Sequence, residues 1–200
     1  MTTPDSHGGL AASPWIQRWS HLVPEQGIVL DLACGRGRHV RWFAGRGHAV
    51  VGVDNAPDAL RSLDDLVQGG QVRTVLADLE NGPWPLTALG APRQFAGVIV
   101  TNYLWRALLP TIVASLAPGG VLLYETFAHG NASVGKPARA DFLLQPGELV
   151  HVCRDLRIVA FEDGFCDQPD RFVQRIAAVR QPVGASGGVA PDAAVPRYHL

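Results

Sequence analysis

Two hydrophobic patterns alternate along the chain. Short, mostly apolar runs occupy residues 28–33 (IVLDLA), 49–54 (AVVGVD), 72–78 (VRTVLAD), 95–101 (FAGVIVT) and 121–127 (VLLYETF). Such runs predict strands buried on both faces of a parallel sheet. Between them, apolar residues recur at helical spacing. Val40, Phe43 and Ala44 share a face within 37–46, and Ala59, Leu60, Leu63, Leu66 and Val67 share one within 57–67. Asn55 is the candidate cap of the second helix, and Gly47 and Gly69-Gly70 are the stops. Residues 103–117 read as an interrupted helix that Pro110 must break or restart, followed by a turn at Pro118-Gly119-Gly120. Ser13-Pro14 reads as an N-cap and first turn ahead of Trp15, Ile16, Trp19, Leu22 and Val23. Pro146-Gly147-Glu148 opens a short helix to about Arg154. Residues 157–165 and 171–179 read as an antiparallel strand pair across the spacer CDQPD.

Alternating strands and helices predict an α/β fold with helices on both faces of a doubly wound sheet. Ligands of such sheets gather beyond the carboxyl ends of the strands, where the strand order switches. Chemistry is therefore expected just after residues 33, 54, 78, 101 and 127. The long loop 128–144 also invites a functional reading. Residues 1–12 read as a flexible N-terminus, 13–181 as one domain and 182–200 as a flexible tail.

Composition narrows the field. The 200 residues are 47% hydrophobic and 18% charged, with a net charge of −1. That suits one globular domain and supplies no overall attraction for nucleic acid or anionic lipid. Arg36, Arg38, Arg41 and Arg46 cluster with His39 and His48, but the aromatic neighbours Trp42-Phe43 are needed by the helix's core face. Nucleic acid is therefore not the expected partner. Cys34, Cys153 and Cys166 show no metal-ligand spacing, so no metal is expected. The first residues carry no signal-peptide pattern and no run reaches a membrane span, so a cytoplasmic protein is the expectation.

Polar groups stand at the expected strand ends. After the first strand comes Asp31-Leu32-Ala33-Cys34-Gly35-Arg36-Gly37. The glycines permit close backbone approach to a ligand, although a plain strand-to-helix turn looks the same. Asp54 ends the second strand, where a carboxylate can accept from both hydroxyls of a ribose or serve the following helix. Asp78 ends the third beside Leu79, where an acid suits an exocyclic adenine amine or stays a solvated loop residue. Three carboxylates near one crevice repel one another unless a cationic ligand intervenes.

With these residues in view, the sequence resembles the class I S-adenosylmethionine-dependent methyltransferases over about residues 27–180. VLDLACGRGRH (29–39) resembles the family's glycine-rich first motif and VVGVDNAPDAL (50–60) its acidic second motif. ADLENGPWPL (77–86) resembles the adenine-contact loop, FAGVIVTNYLWR (95–106) the fourth motif and LAPGGVLLYETF (116–127) the region of the fifth strand. Ala33 departs from the pattern, standing where many members have glycine. The flavour is that of small-molecule enzymes such as the tellurite-resistance type. The resemblance implies a Rossmann-like, seven-stranded, mostly parallel sheet whose last strand is antiparallel. It implies S-adenosylmethionine as cofactor and S-adenosylhomocysteine as product. It implies that Asp31, Ala33, Gly35 and Gly37 surround the methionine end, that Asp54 holds the ribose, that Asp78 and the Leu79 backbone hold the adenine, and that Asn55 is a further cofactor-binding residue. Asn102 is implied at the methionine amino group and the acceptor's entrance.

Methyl transfer from a sulfonium is an in-line displacement, so the protein mainly aligns the acceptor and excludes water. No catalytic residue is assigned, because a base is needed only if the acceptor must lose a proton. Tyr103, Arg106, His129 and Asn131 are the candidates for binding a small-molecule acceptor, with Trp105, Glu125 and Arg139 nearby. Packing or surface roles compete for each of them. Trp15 and Arg18 of the first helix can cover the cofactor or simply pack. Two other readings stand beside this one: a non-catalytic S-adenosylmethionine-binding protein, and an NAD(P)-dependent oxidoreductase. Against the second, Val40 occupies the place of the third glycine in GxGxxG. The oligomeric state has no sequence signal.

Overall fold

A computed structural model describes residues 11–87, 94–182 and 196–200 of the chain. Seven strands form one sheet in the order β3-β2-β1-β4-β5-β7-β6. They are β1 (Ile28–Leu32), β2 (Ala49–Asp54), β3 (Val72–Leu76), β4 (Phe95–Thr101), β5 (Leu116–Phe127), β6 (Arg157–Asp167) and β7 (Asp170–Val179). The first five pair in parallel, and β7 runs antiparallel to both β5 and β6. The expected doubly wound sheet with a reversed last strand is thus the one found. The order switches between β1 and β4, which opens the crevice there.

The helices are α1 (Pro14–Trp19), α2 (Arg38–Ala44), α3 (Pro57–Arg61), α4 (Asp64–Gln68), α5 (Leu109–Ala114) and α6 (Glu148–Val152). Strand alternation sends Leu30, Leu32, Val98, Val100, Leu122 and Tyr124 to one buried layer under α5 and α6. Val29, Ile99, Val121 and Leu123 point the other way, onto Trp15, Ile16, Trp19 and Phe43 of α1 and α2. The two tryptophans of α1 are therefore core residues, only 3% and 2% exposed. Ser13 caps that helix, its Oγ accepting from the Trp15 N–H at 3.2 Å.

Three elements depart from the sequence reading. The helix expected over 57–67 is two short helices. The Ser62 carbonyl turns out of the ladder to accept from Arg41 Nη2 at 2.5 Å, and Arg41 also grips Asp65 at 2.8 Å. Leu63 is consequently buried while Val67 is exposed. Asn55 is not the cap, because Ala56 is the boundary residue of α3 and its N–H donates to Asp54 Oδ1 at 2.9 Å. Pro110 restarts the helix, one of the two outcomes expected of it, since it lies in the first turn of α5 where no N–H is required. β5 begins at Leu116, not at 121, with an irregular register opposite Phe95–Gly97. Gly120 is required there, as an added Cβ would lie 2.6 Å from the Phe95 carbonyl oxygen.

The loop after β5 is not loose. Arg106 ties it down by donating to Glu148 and to the carbonyls of Asp141 and Leu143. At the other terminus, residues 196–200 return to the α1 side, where Tyr198 packs on the apolar layer. The His199 carbonyl lies 3.2 Å from His21 Nε2. The rest of the expected flexible segments, residues 1–10 and 183–195, lie outside the described residues.

Candidate functional site: the carboxyl edge of the sheet

The loop after β1 is shaped by left-handed backbone. Ala33, Gly35 and Gly37 have φ of 51°, 55° and 73°. Only Ala33 carries a side chain in this region, which costs roughly 1–2 kcal/mol relative to glycine. Gly37 has a packing requirement as well, because a Cβ there would meet Leu63 Cδ2 at 2.4 Å. Gly35 faces open space, and its N–H donates to Asp54 Oδ2 at 2.7 Å. Cys34 packs against Gly52, and burial pushes its thiol up, so it is not a nucleophile at neutral pH.

Asp54 thus spends one lone pair of each oxygen on backbone, at Gly35 and at Ala56. A carboxylate retains further acceptor capacity for two hydroxyls. Asp78 is exposed, and it organises its own turn by accepting from the Glu80 and Asn81 amides and from Asn81 Nδ2. The Asn81 side chain and these amides hold its carboxyl below the ordinary range. Asp54, Asn55, Asp78 and Leu79, together with Ala33, Ala77, Glu80 and Tyr103, line one cleft of about 190 Å³. The loops after β1, β2, β3 and β4 therefore meet at a single hollow.

Asp31 lies beneath this hollow, 1% exposed, on the same sheet face as α1 and α2. Neither carboxylate oxygen has a hydrogen-bond partner among the described residues. Burial pushes its carboxyl up to about 8, against the pull of the Arg38 guanidinium and of the Val40 N–H, which faces it without closing a well-formed bond, and the Asp54 charge adds to the rise. A buried unpartnered carboxyl is costly unless it is protonated or meets a donor. The residues thus fit a ligand that brings hydroxyls to Asp54 and a cationic group toward Asp31.

Asn102 follows β4 with φ of 55°, its N–H donating to the Glu125 carbonyl at 2.9 Å and its side chain exposed. The left-handed turn directs the chain out of the sheet at the switch point. Tyr103 is half-buried, and its hydroxyl has no partner among the described residues. Burial pushes that phenol up to about 12, with Glu80 and Asp78 adding to it. Its carbonyl accepts from the buried Tyr124 hydroxyl at 2.8 Å.

The acceptor-side candidates divide. His129 is exposed, and its backbone N–H donates to the Leu144 carbonyl at 2.8 Å. Asn131 is occupied by the fold, its Nδ2 donating to the Pro137 carbonyl at 3.0 Å and its Oδ1 accepting from the Phe172 N–H at 3.1 Å. Arg106 is likewise engaged by Glu148 and two carbonyls, which turns it toward α6 and away from the cleft. Arg139 is an exposed partner of Asp141. Trp105 is partly exposed after β4.

A polar row continues the edge toward β7, and two of its members, Arg171 and Arg175, were passed over in the sequence. The Ser13 N–H donates to His39 Nε2 at 3.1 Å, and His39 Nδ1 lies 3.4 Å from Thr101 Oγ1. Burial, with Arg38 adding to it, holds that imidazole down at about 3, so it stays neutral. Ser13 Oγ donates to Oε1 of the buried Glu125 at 3.1 Å, and Arg175 Nη1 donates to Oε2 at 3.2 Å. Arg171 lies beyond, its Nη1 3.8 Å from Glu125 Oε1. The alternation of 171 and 175 could have drawn attention to them, but the hairpin register that faces them inward is not written in composition.

A seven-stranded, Rossmann-like sheet with this crevice defines the class I methyltransferase architecture. Comparison with known proteins agrees. Residues 29–120 match the family model described as a methyltransferase domain. That match spans a little under half of the chain and takes in β1 to β4 and the start of β5. A 53-residue stretch is 42% identical to a thiopurine S-methyltransferase of Pseudomonas fluorescens (strain Pf0-1), covering 26% of this chain and 24% of that one. The match thus spans about a quarter of that relative's length. TehB of Haemophilus influenzae superposes with a TM-score of 0.62 at 18% identity, over 84% of this chain and 61% of the other. An S-adenosylmethionine-dependent methyltransferase of Mesorhizobium loti gives 0.63 at 17%, over 82% and 96%. The glycopeptide N-methyltransferase MtfA, in complex with sinefungin, gives 0.57 at 18%, over 84% and 92%. At these identities the structural likeness speaks for the fold. Among the described residues no helix is long and apolar enough to cross a membrane, and no cluster of His, Cys, Asp and Glu could hold a metal ion.

Proposed function

We propose that this protein transfers the methyl group of S-adenosylmethionine to a small-molecule acceptor. The observation that carries the reading is the single cleft that Ala33, Asp54, Asn55, Asp78, Leu79 and Tyr103 share. Asp54 would accept from the ribose hydroxyls while keeping its bonds to the loop amides. Leu79 would pack on the adenine, with Asp78 fixing the turn and accepting from the amine. Asp31 would answer the methionine ammonium, and Gly35 and Gly37 would let the backbone approach it. Asn102 would stand between the methionine end and the acceptor.

The cofactor supplies an already activated sulfonium methyl, so these residues need only align, desolvate and enclose. The 53-residue likeness to a thiopurine S-methyltransferase, whose name gives a small acceptor, supports a small acceptor here. Val40 is fully buried at the third-glycine position, which disfavours a dinucleotide. Titration calorimetry with S-adenosylmethionine and with NAD(H), followed by a screen of metabolite extracts with methyl-labelled cofactor, tests the reading. Binding of the sulfonium and a labelled small product are expected. Binding without turnover on any acceptor would make the protein a cofactor-binding module, and preference for NAD(H) would remove the reading altogether.

A further inference from the structure

Arg171 and Arg175 lie on the same sheet face as Glu125 yet are treated differently by the fold. Arg175 is fully engaged. Its Nε donates to Glu162 at 2.7 Å, its Nη1 to Glu125 at 3.2 Å and its Nη2 to Cys166 Sγ at 3.3 Å, and it stacks 5.4 Å from the Trp15 ring. Arg171 has none of this. Its side chain is 20% exposed, its Nε is buried without a partner among the described residues, and Glu125 stays at 3.8 Å, beyond hydrogen-bond reach. Glu125 already accepts from Ser13 and Arg175. One guanidinium is therefore largely withdrawn from water with its fork unfilled, and planar forks of this kind match carboxylates.

The position gives this meaning. Because β7 is antiparallel, its first residues stand at the carboxyl edge. Thr101 pairs with Glu125, Glu125 with Arg175, and Arg171 lies two residues past the Phe127–Val173 pair, beyond the end of β5. β4 and β7 are two strand spacings apart, about 10 Å, and although the Arg171 backbone lies further along the edge than Asn102, its guanidinium reaches back to within 3.8 Å of Glu125. Asn131 holds the Phe172 N–H, so the long loop fixes the backbone next to Arg171.

We propose that Arg171 is an anion subsite for the methyl acceptor, which carries a carboxylate or similar anionic group. The inference rests on the cofactor reading for its place in the reaction, but not for the binding of an anion. The nucleophile would face Asn102, and the anion would complete the fork that Glu125 leaves open.

The test follows the arginine Nε–H resonances of the labelled protein during titration with benzoate and with benzamide, in the presence and absence of S-adenosylhomocysteine. A saturable shift of the Arg171 resonance is expected with benzoate, with benzamide at least about tenfold weaker. Arg171→Gln should abolish the benzoate response and Arg171→Lys restore part of it, while both variants keep their affinity for S-adenosylhomocysteine. An absent benzoate response, an equal response to benzamide, or wild-type benzoate binding by Arg171→Gln would overturn the proposal. So would loss of S-adenosylhomocysteine binding in both variants, which would mark Arg171 as structural. If the wild-type protein ignores S-adenosylhomocysteine but still binds benzoate, the subsite stands and the cofactor reading falls.

Discussion

The Gly35 amide donates to Asp54 Oδ2 at 2.7 Å, so the second strand end holds the loop of the first in place. Asp54 has two roles under the proposed function, as loop organiser and as ribose acceptor. Asp54→Ala should weaken S-adenosylmethionine binding by about 1.5–3 kcal/mol, the scale of lost charge-assisted bonds. Asp54→Asn should recover the loop only in part, because an amide cannot accept from both backbone N–H groups with both of its termini. Calorimetric titration of the two variants checks this, and unchanged affinity would remove Asp54 from the ribose role.

Asp31 imposes a pH dependence of known direction. Its folded carboxyl stands near 8, above the unfolded value of 3.8. The unfolded chain therefore holds fewer protons between pH 4 and 8, and this group's contribution to stability declines as pH rises through that window. Asp31→Asn should stabilise the cofactor-free protein at pH 8 by a few kcal/mol and do little at pH 4. Denaturant unfolding at both pH values decides it. For the wild type, cofactor binding below pH 8 should release a proton, and affinity should climb toward pH 8. Calorimetry in buffers of different ionisation enthalpy measures that proton.

Ala33 holds φ of 51° where the loop suits glycine. Ala33→Gly should relieve the left-handed strain, offset in part by the freer unfolded chain, for a net gain of about 0.5–1 kcal/mol. The midpoint of thermal unfolding reports it. A lower midpoint would mean that the methyl group makes contacts worth more than the strain.

Arg106 supports the loop between β5 and α6. Arg106→Ala should destabilise the protein by about 1–2 kcal/mol, a figure reduced because the guanidinium is partly exposed. It should also speed proteolysis within 128–147 and leave cofactor affinity unaltered. Arg106→Lys should restore little, since a single ammonium cannot span Glu148 and two carbonyls. Wild-type cleavage rates in both variants would show that the clamp is dispensable.

How far the sequence could be read follows from the range of the forces involved. The strands were legible because burial on both faces writes itself as apolar runs, as in FAGVIVT. The cleft residues were legible because strand-end chemistry is local. The split at Ser62 was not, since it depends on Arg41 reaching across from another helix. Arg106 and Asn131 showed the right residue types for an acceptor, yet they bond to Glu148, Pro137 and Phe172, partners 42, 6 and 41 positions away. Arg171 went unnoticed because pairing register, not residue type, turns it inward.

The direction of β7 sets which residues reach the reactive edge. In a parallel arrangement the small residues Ala177 and Ala178 would arrive there; reversed, the strand presents Arg171 and Arg175 instead. A shift of the β6–β7 hairpin by a single position would turn both guanidiniums to the opposite face without altering one side chain. The chemistry available to a bound partner at this edge is therefore decided at the tight turn between Asp167 and Asp170, where a lengthened loop could re-tune it.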